Sequence, residues 1–291
     1  YLEYFGKINF LKGGIVFSDI INTVSKKYSE EIQTEEFGCG LDGIIRTRKD
    51  DLFGIVNGID YRDWDPDKDP YIPAPYTAEN ITGKGLCKKV LQETFGLSSD
   101  KNIPVIATIS RLAEQKGFDL IAESLGEILS YGAQYVILGT GERKYHDVFE
   151  DLSKRFPNSF GIKIAYDNKL AHLIEAGADM FLMPSKYEPC GLNQLYSLKY
   201  GTVPIVRGVG GLEDTIVDYT KEPKKATGFK FYTYNASEML NAIKRALDLY
   251  KRKDDWLVLV KRCMKEDFSW QRSAAEYLEL YKKAIRKHES R

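Results

Sequence analysis

The stretch PVIATISRLAEQKGFDLIAESLGEILSYGAQYVILGTG, residues 104–141, decides the fold. It opens with a β-branched run, Pro104–Ile109, passes through a polar loop, and continues as Phe118–Tyr131 with apolar residues at helical spacing. Gly132 stops that helix. A second apolar run, Gln134–Leu138, follows and ends in Gly139-Thr140-Gly141. Apolar runs without polar alternation are strands buried on both faces. Strand, helix and strand at this spacing make a βαβ unit, which requires parallel strands. The pattern repeats toward the C-terminus. Glu142–Phe156 predicts a helix, Phe160–Ala165 a strand, Lys169–Ala176 a helix and Asp179–Met183 a strand. Leu192–Tyr200 is then a helix stopped by Gly201, and Val203–Val206 is a fifth strand. The fold class is α/β, built on a Rossmann-like parallel sheet.

The flanks differ. Residues 1–57 hold one convincing strand, Ile20–Val24, between two helical stretches, which suits the end of a preceding domain. Residues 60–75 are rich in Asp, Pro and Tyr and form an ordered linker. After Gly228 the chain is expected to be helical, over Ser237–Tyr250, Asp255–Lys265 and Ser269–Lys287. The first residue is Tyr1 and the first methionine is Met180, so a fragment or processed piece is expected.

Composition narrows the function. The 291 residues carry 42 Lys+Arg and 42 Asp+Glu, so a basic footprint for nucleic acid is missing at the level of the whole chain. No apolar run approaches the roughly 20 residues that span a bilayer, so no membrane partner is expected. The cysteines, Cys39, Cys87, Cys190 and Cys263, form no CxxC pair, which points to a reducing compartment and a cytoplasmic protein. Asp63, Asp65, Asp67 and Asp69 superficially resemble a calcium loop. Counted from Asp63, however, Lys68 and Ala74 stand where the loop needs Gly and Glu, so a solvated linker with Asp-Pro turns is the better reading. The histidines His146, His172 and His288 sit on helical stretches without a nucleophile or metal pair, and His172 is read as structural.

Four loops follow strands directly, where open α/β sheets bind ligands. Ser110-Arg111-Leu112 and Gln115-Lys116-Gly117 place two cations five residues apart after the first strand. They can converge on a diphosphate, Arg as a fork and Lys as a point charge, or be two surface cations. Gly139-Thr140-Gly141 opens a helix but has Lys144 where a dinucleotide fingerprint needs its third Gly. A tight turn explains it as well as a ligand contact. Glu188-Pro189-Cys190-Gly191-Leu192 puts a carboxylate and a run of N–H groups at a helix start, suited to sugar hydroxyls and an anion, or forms a plain helix-entry turn. Gly208-Val209-Gly210-Gly211 can form an anion-binding nest or a flexible loop. Three of these sheet-edge loops independently look built for phosphate or sugar, and their coincidence indicates a nucleotide-sugar site.

At these residues the chain resembles the glycogen and starch synthases. The matching stretches are Ser110-Arg111-Leu112 with Gln115-Lys116-Gly117, Leu138–Gly141, Pro184-Ser185 with Glu188–Leu195, Lys199–Thr202 with Pro204, and Val209–Leu212 with Asp214-Thr215. Thr23-Val24-Ser25, Asn57-Gly58-Ile59-Asp60, Trp64-Asp65-Pro66 and Phe268-Ser269-Trp270 also fit, so the likeness runs over nearly the whole chain. The resemblance implies a GT-B fold, two Rossmann-like domains facing across a cleft. It divides the chain into residues 1–57 (the end of the acceptor domain), 58–266 (the donor nucleotide-sugar domain) and 267–291 (a helix packing back on the N-terminal domain). It implies a retaining transfer of glucose from ADP-glucose to the non-reducing end of an α-1,4-glucan such as glycogen.

By that likeness Arg111 and Lys116 hold the donor phosphates and the departing diphosphate. Glu188 holds the glucose and supports positive charge at the reacting carbon. Cys190, Gly191 and Leu192 offer backbone N–H groups, and Tyr166 packs on the adenine. Asn57 contacts the sugar region, Gly139 and Gly141 line the nucleotide side, and Gly210 and Gly211 shape the phosphate pocket. No metal and no cofactor is implied, since Arg and Lys neutralise the leaving group. Tyr196 stands where many GT-B enzymes carry a second Glu, as in the synthase subgroup. The family's N-terminal Lys-x-Gly-Gly-Leu motif is missing from this sequence, so this polypeptide alone is expected to be inactive or very weak. UDP-glucose as donor and a non-catalytic nucleotide-binding module are the rival readings.

Overall fold

The computed structural model describes residues 2–290. The early part starts with a short antiparallel hairpin, β1 (Glu3–Tyr4) and β2 (Lys7–Ile8), followed by helix α1 (Phe10–Phe17). Strand β3 (Ile21–Thr23) leads through helices α2 (Lys26–Glu31) and α3 (Asp42–Thr47) to strand β4 (Leu52–Gly54). Strand β4 pairs in parallel with β3, with Asn22 opposite Phe53. The described residues 2–57 therefore hold three short strands besides the expected one, and β4 is the one that pairs with it. Leu52–Gly54 is only three residues long and ends in Gly, too short for a period to show. Ile15, Leu41, Ile45 and Leu52 form a small apolar cluster of their own.

Helix α4 (Thr82–Thr94) precedes the main sheet. Its first turn carries Gly83 and Gly85, poor helix formers. Tertiary packing makes up for them. Gly177 on a later helix has no room for a Cβ, which would sit 2.7 Å from Cys87 O and 2.8 Å from Leu91 Cβ, so α4 lies directly on that helix. The ammonium of Lys88 is buried and pairs with Asp179 at 2.7 Å.

The sheet then assembles from β5 (Val105–Ile109), β6 (Gln134–Gly139), β7 (Phe160–Ile164), β8 (Met180–Met183), β9 (Val203–Arg207) and β10 (Phe229–Phe231). The strands lie in the order β10-β9-β8-β5-β6-β7, all parallel. Every residue of β6 and β8 is buried, as their continuous apolar sequence demands. Helices α5 (Phe118–Ser130), α6 (Arg143–Arg155), α7 (Asn168–Gly177), α8 (Asn193–Tyr200) and α9 (Gly210–Thr215) make the crossovers as far as β10. Local chemistry sets their ends. Asp167 caps α7 by accepting from Leu170 N at 2.9 Å, and Gly201, at φ 65°, ends α8 in the left-handed region.

Strand β10 corrects the expectation of an all-helical chain after Gly228. Lys230 interrupts its apolar run, yet it is buried with its ammonium 2.9 Å from the Glu213 carboxylate. Helices α10 (Ala236–Lys251), α11 (Lys253–Lys265) and α12 (Trp270–Glu289) complete the chain. Helix α12 returns to the early segment. Ser273 Oγ donates to Val56 O at 2.8 Å, Asn22 Nδ2 to Tyr277 Oη at 3.3 Å, and Lys287 pairs with Asp51.

The Asp-rich linker is not wholly solvated. Asp69 is buried, accepts from Tyr200 Oη at 2.5 Å and lies 2.7 Å from His172 Nδ1. Trp64 lies between the rings of His172 and Tyr196, stacked on each at 3.8 Å between centroids. His172 is thus a structural histidine that ties the linker to α7 and α8.

Candidate functional site

The strand order locates the site. From β5 the chain steps outward to β6 and β7, then crosses back to β8 on the other side of β5. The loops leaving β5 and β8 at their carboxyl ends therefore flank the switch point, where open α/β sheets bind ligands. Those loops are residues 110–117 and 184–192, the two that carry the cations and the carboxylate. The two are tied directly to each other. Lys186 N donates to Gln115 O at 2.8 Å, and Asn193 Nδ2 donates to Ile109 O at 2.5 Å. Gly117, at φ 78°, cannot carry a side chain, because a Cβ would meet Pro184 O at 2.3 Å.

At the centre, Lys116 Nζ sits 2.6 Å from Glu188 Oε2, with side-chain exposures of 22% and 6%. Ser185 Oγ donates to the same carboxylate oxygen at 3.1 Å. Glu188 Oε1 has no hydrogen-bond partner among the described residues. A carboxylate this buried needs its cation, since an unpaired buried charge is strongly destabilising. Arg111 points to solvent on the same loop, its guanidinium donating to Gln115 Oε1 at 3.2 Å. Arg207, from the end of β9, donates to Ser185 O at 3.4 Å and Lys186 O at 2.6 Å, which braces the Glu188 loop from the opposite side.

The Cys190-Gly191-Leu192 turn enters α8 with Gly191 at φ 74°. Gln194, fully buried, donates to Cys190 O at 3.0 Å and Gly191 O at 3.1 Å and so holds the turn's carbonyls inward. The N–H groups of Gly191 and Leu192 have no acceptor among the described residues. Leu192 itself is 39% exposed. Burial pushes the Cys190 thiol up to about 11, against a backbone hydrogen bond from Asn57. Asn57 therefore lies beside this turn, through its backbone.

Gly139 and Gly141 are needed for close approach. A Cβ on Gly139 would lie 1.8 Å from Ser110 O, and one on Gly141 2.2 Å from Leu112 O. The two loops are bridged by Leu112 N donating to Thr140 O at 3.0 Å. Gly141 N donates to His146 Nε2 at 3.0 Å, so this N–H is already engaged. Tyr166 follows β7 and is 93% exposed, with no ring stacked on it among the described residues.

The glycine loop after β9 differs most from expectation. Gly210 N donates to both carboxylate oxygens of Glu31 at 3.1 Å, and Gly211 N donates to Glu188 O at 3.1 Å. The nest expected at Gly208–Gly211 is thus filled from within the chain. Gly210, at φ 44°, lies against the catalytic-candidate loop, since a Cβ there would be 1.9 Å from Glu188 O. Ser185, Gln194, Arg207 and Glu31 were not singled out from sequence. Ser185 and Gln194 lie inside the matched motif and were accessible through it. Glu31 is 179 residues from Gly210, and no local signal connects them.

A parallel sheet with polar and charged loops at its switch point has the form of a ligand-binding α/β domain. The chain belongs to the group 1 glycosyl transferases, whose family model matches residues 92–257. The starch synthase catalytic domain model matches residues 1–47. Among curated proteins, the chain is 50% identical over 287 residues to the glycogen synthase of Thermosipho africanus (strain TCF52B), covering 98% of this chain and 59% of that protein. It is 52% identical to the glycogen synthase of Petrotoga mobilis (strain DSM 10674 / SJ95), with the same coverage of 98% and 59%. The chain thus spans about three fifths of the length of the curated relatives it matches.

Among solved structures, it is similar to the catalytic domain of starch synthase IV from Arabidopsis thaliana bound to ADP and acarbose. That likeness has a TM-score of 0.90 and 36% identity over 96% of this chain and 58% of that one. Sucrose-phosphate synthase from Thermosynechococcus elongatus, at 16% identity and a TM-score of 0.64 over 98% of this chain and 64% of that one, shares the fold. The fold is of the GT-B type, and the likeness to glycogen and starch synthases drawn from the motifs holds along the chain. No helix among the described residues is long and apolar enough to cross a membrane.

Proposed function

We propose that this chain carries the donor side of a retaining glucosyltransferase that moves glucose from ADP-glucose to the non-reducing end of an α-1,4-glucan. The observation that carries the reading is the Lys116–Glu188 pair, 2.6 Å apart at the switch point of the sheet. Support comes from the relatives at about half identity and from a starch synthase neighbour bound to ADP and acarbose. In this reading Lys116 and Arg111 bind the diphosphate, and the free N–H groups of Gly191 and Leu192 add neutral donors beside it. Glu188 Oε1 takes a glucose hydroxyl. As the bond to the diphosphate breaks, positive charge grows on the sugar and negative charge on the leaving oxygens. The fixed carboxylate faces the first and the fixed cations face the second, so little reorganisation is required. Tyr166 offers its exposed ring to the base, and Asn57 holds the linker against Cys190.

We divide the chain into residues 1–57 on the acceptor side, 58–266 as donor domain and 267–291 as the returning helix. The separate apolar cluster of the early segment and the contacts of α12 with it support this division. A cytoplasmic location is part of the proposal, supported by four unpaired cysteines. The test of the donor is a competition titration. ADP should displace a bound nucleotide probe at lower concentration than UDP, and equal or better displacement by UDP would remove the ADP-glucose assignment.

A further inference from the structure

Helices α2 and α9 pack against each other, and each ends on a carboxylate that reaches the start of the other. Glu31, the last residue of α2, accepts from Gly210 N, the first of α9, at 3.1 Å to each oxygen. Asp214, near the end of α9, accepts from Lys27 N at 3.0 Å and from Ser25 Oγ at 2.6 Å at the start of α2. The helices therefore run antiparallel and cap one another, which places negative charge at the positive end of each dipole. The clamp joins segments 179 and 187 residues apart in sequence. Glu31 is buried, so its contact with Gly210 is not a casual surface pairing.

The next link leads to the reacting centre. Gly210 abuts Glu188 O, and its neighbour Gly211 donates to that same carbonyl at 3.1 Å. A Cβ on Gly211 would lie 2.0 Å from Cys190 O, so the glycine loop and the Glu188–Cys190 loop are packed backbone against backbone. We infer that Glu31 is a positioning residue for Glu188: by holding Gly210 it fixes the backbone from which Glu188 reaches Lys116. The inference rests on the donor-site reading above. It assigns α2 a role in placing the carboxylate although, among the described residues, no hydrogen bond or ion pair joins α2 to Lys116 or to the Glu188 carboxylate. Displacing a reacting group by about 1 Å costs on the order of a hundredfold in rate, so a loosened clamp shows in turnover before it shows in binding.

The experiment measures glucose incorporation from ADP-glucose into glycogen by the full-length polypeptide over a range of donor concentrations. Wild type is compared with Glu31→Ala, Glu31→Gln, Glu31→Asp and, as control, Glu188→Ala. Glu31→Ala should lower kcat about tenfold or more, with KM for the donor within about twofold, because Arg111 and Lys116 remain. Glu31→Gln should recover most of the loss, since its amide oxygen still accepts from Gly210 N. Glu31→Asp keeps the charge but withdraws it by one methylene. It should fall below Glu31→Gln, and it serves as the decisive variant where Glu31→Ala does not fold. A kcat within twofold of wild type in Glu31→Ala or Glu31→Asp overturns the inference, as does a loss confined to KM or an equal loss in the Gln and Ala variants. If Glu188→Ala itself leaves turnover unchanged, the donor-site reading has failed. If Glu188→Ala abolishes turnover and the Glu31 variants do not change it, only the positioning role has.

Discussion

The Lys116 ammonium and the Glu188 carboxylate answer to each other before any ligand arrives. Replacing Lys116 by Ala removes the cation proposed for the phosphates and strands a carboxylate whose side chain is 6% exposed. ADP affinity should fall by about 1.5–3 kcal/mol, the scale of a hydrogen bond to a charged group, and calorimetric titration measures it. An unchanged affinity would detach Lys116 from the phosphates. Glu175 shows the same physics away from the crevice. It is fully buried, its Oε2 accepts from Ser197 Oγ at 2.7 Å, and burial pushes its carboxyl from 4.5 up to about 8, against the Ser197 bond and the Lys84 charge. The folded chain thus keeps a proton that the unfolded chain releases near 4.5. Its contribution is fullest below that pH and declines as pH rises toward about 8. Wild-type Tm should therefore drop relative to Glu175→Gln between mildly acid and neutral pH, and parallel Tm curves for the two proteins would contradict this.

At the scale of elements, the loops are built by backbone contact as much as by side chains. Gly139 shows how tightly, since a Cβ would stand 1.8 Å from Ser110 O at the root of the Arg111–Lys116 loop. Gly139→Ala should cost about 1–3 kcal/mol of stability, the usual overpacking range, and weaken ADP binding as well. Denaturant unfolding and titration of the same protein check both, and wild-type values in both would show the loops to be looser than described. Five of the six sheet strands were legible in sequence because each is a continuous apolar run flanked by helical periods. Strand β10 was not, because Lys230 interrupts it and its compensation by Glu213 is tertiary. Helix α4 carries two glycines in its first turn, and tertiary contacts, the close approach to Gly177 and the buried Lys88–Asp179 pair, compensate for them. Of the site, Arg111, Lys116 and Glu188 were readable because their loops follow strands. The occupation of Gly210 by Glu31 was not, because nothing local to either residue announces the other.

At the scale of the whole molecule, the main sheet carries the loops proposed to hold the donor, and the early segment, with parallel strands β3 and β4, has helix α12 laid along it. Apolar side chains stand exposed there, among them Phe10 at 82%, Leu11 at 66% and Ile285 at 57%. In the proposed reading the donor is held by the described sheet, and turnover also needs an acceptor. The likeness to relatives of which this chain spans 59% fits that division. The central claim is that the carboxylate at the switch point stabilises the sugar as the diphosphate leaves, and the most direct measurement is the rate of glucose incorporation into glycogen by the full-length polypeptide with Glu188 replaced by Ala. The account predicts a loss on the order of a hundredfold to a thousandfold, the scale for removing a preorganised stabilising group, with ADP still bound. A rate equal to wild type would contradict it.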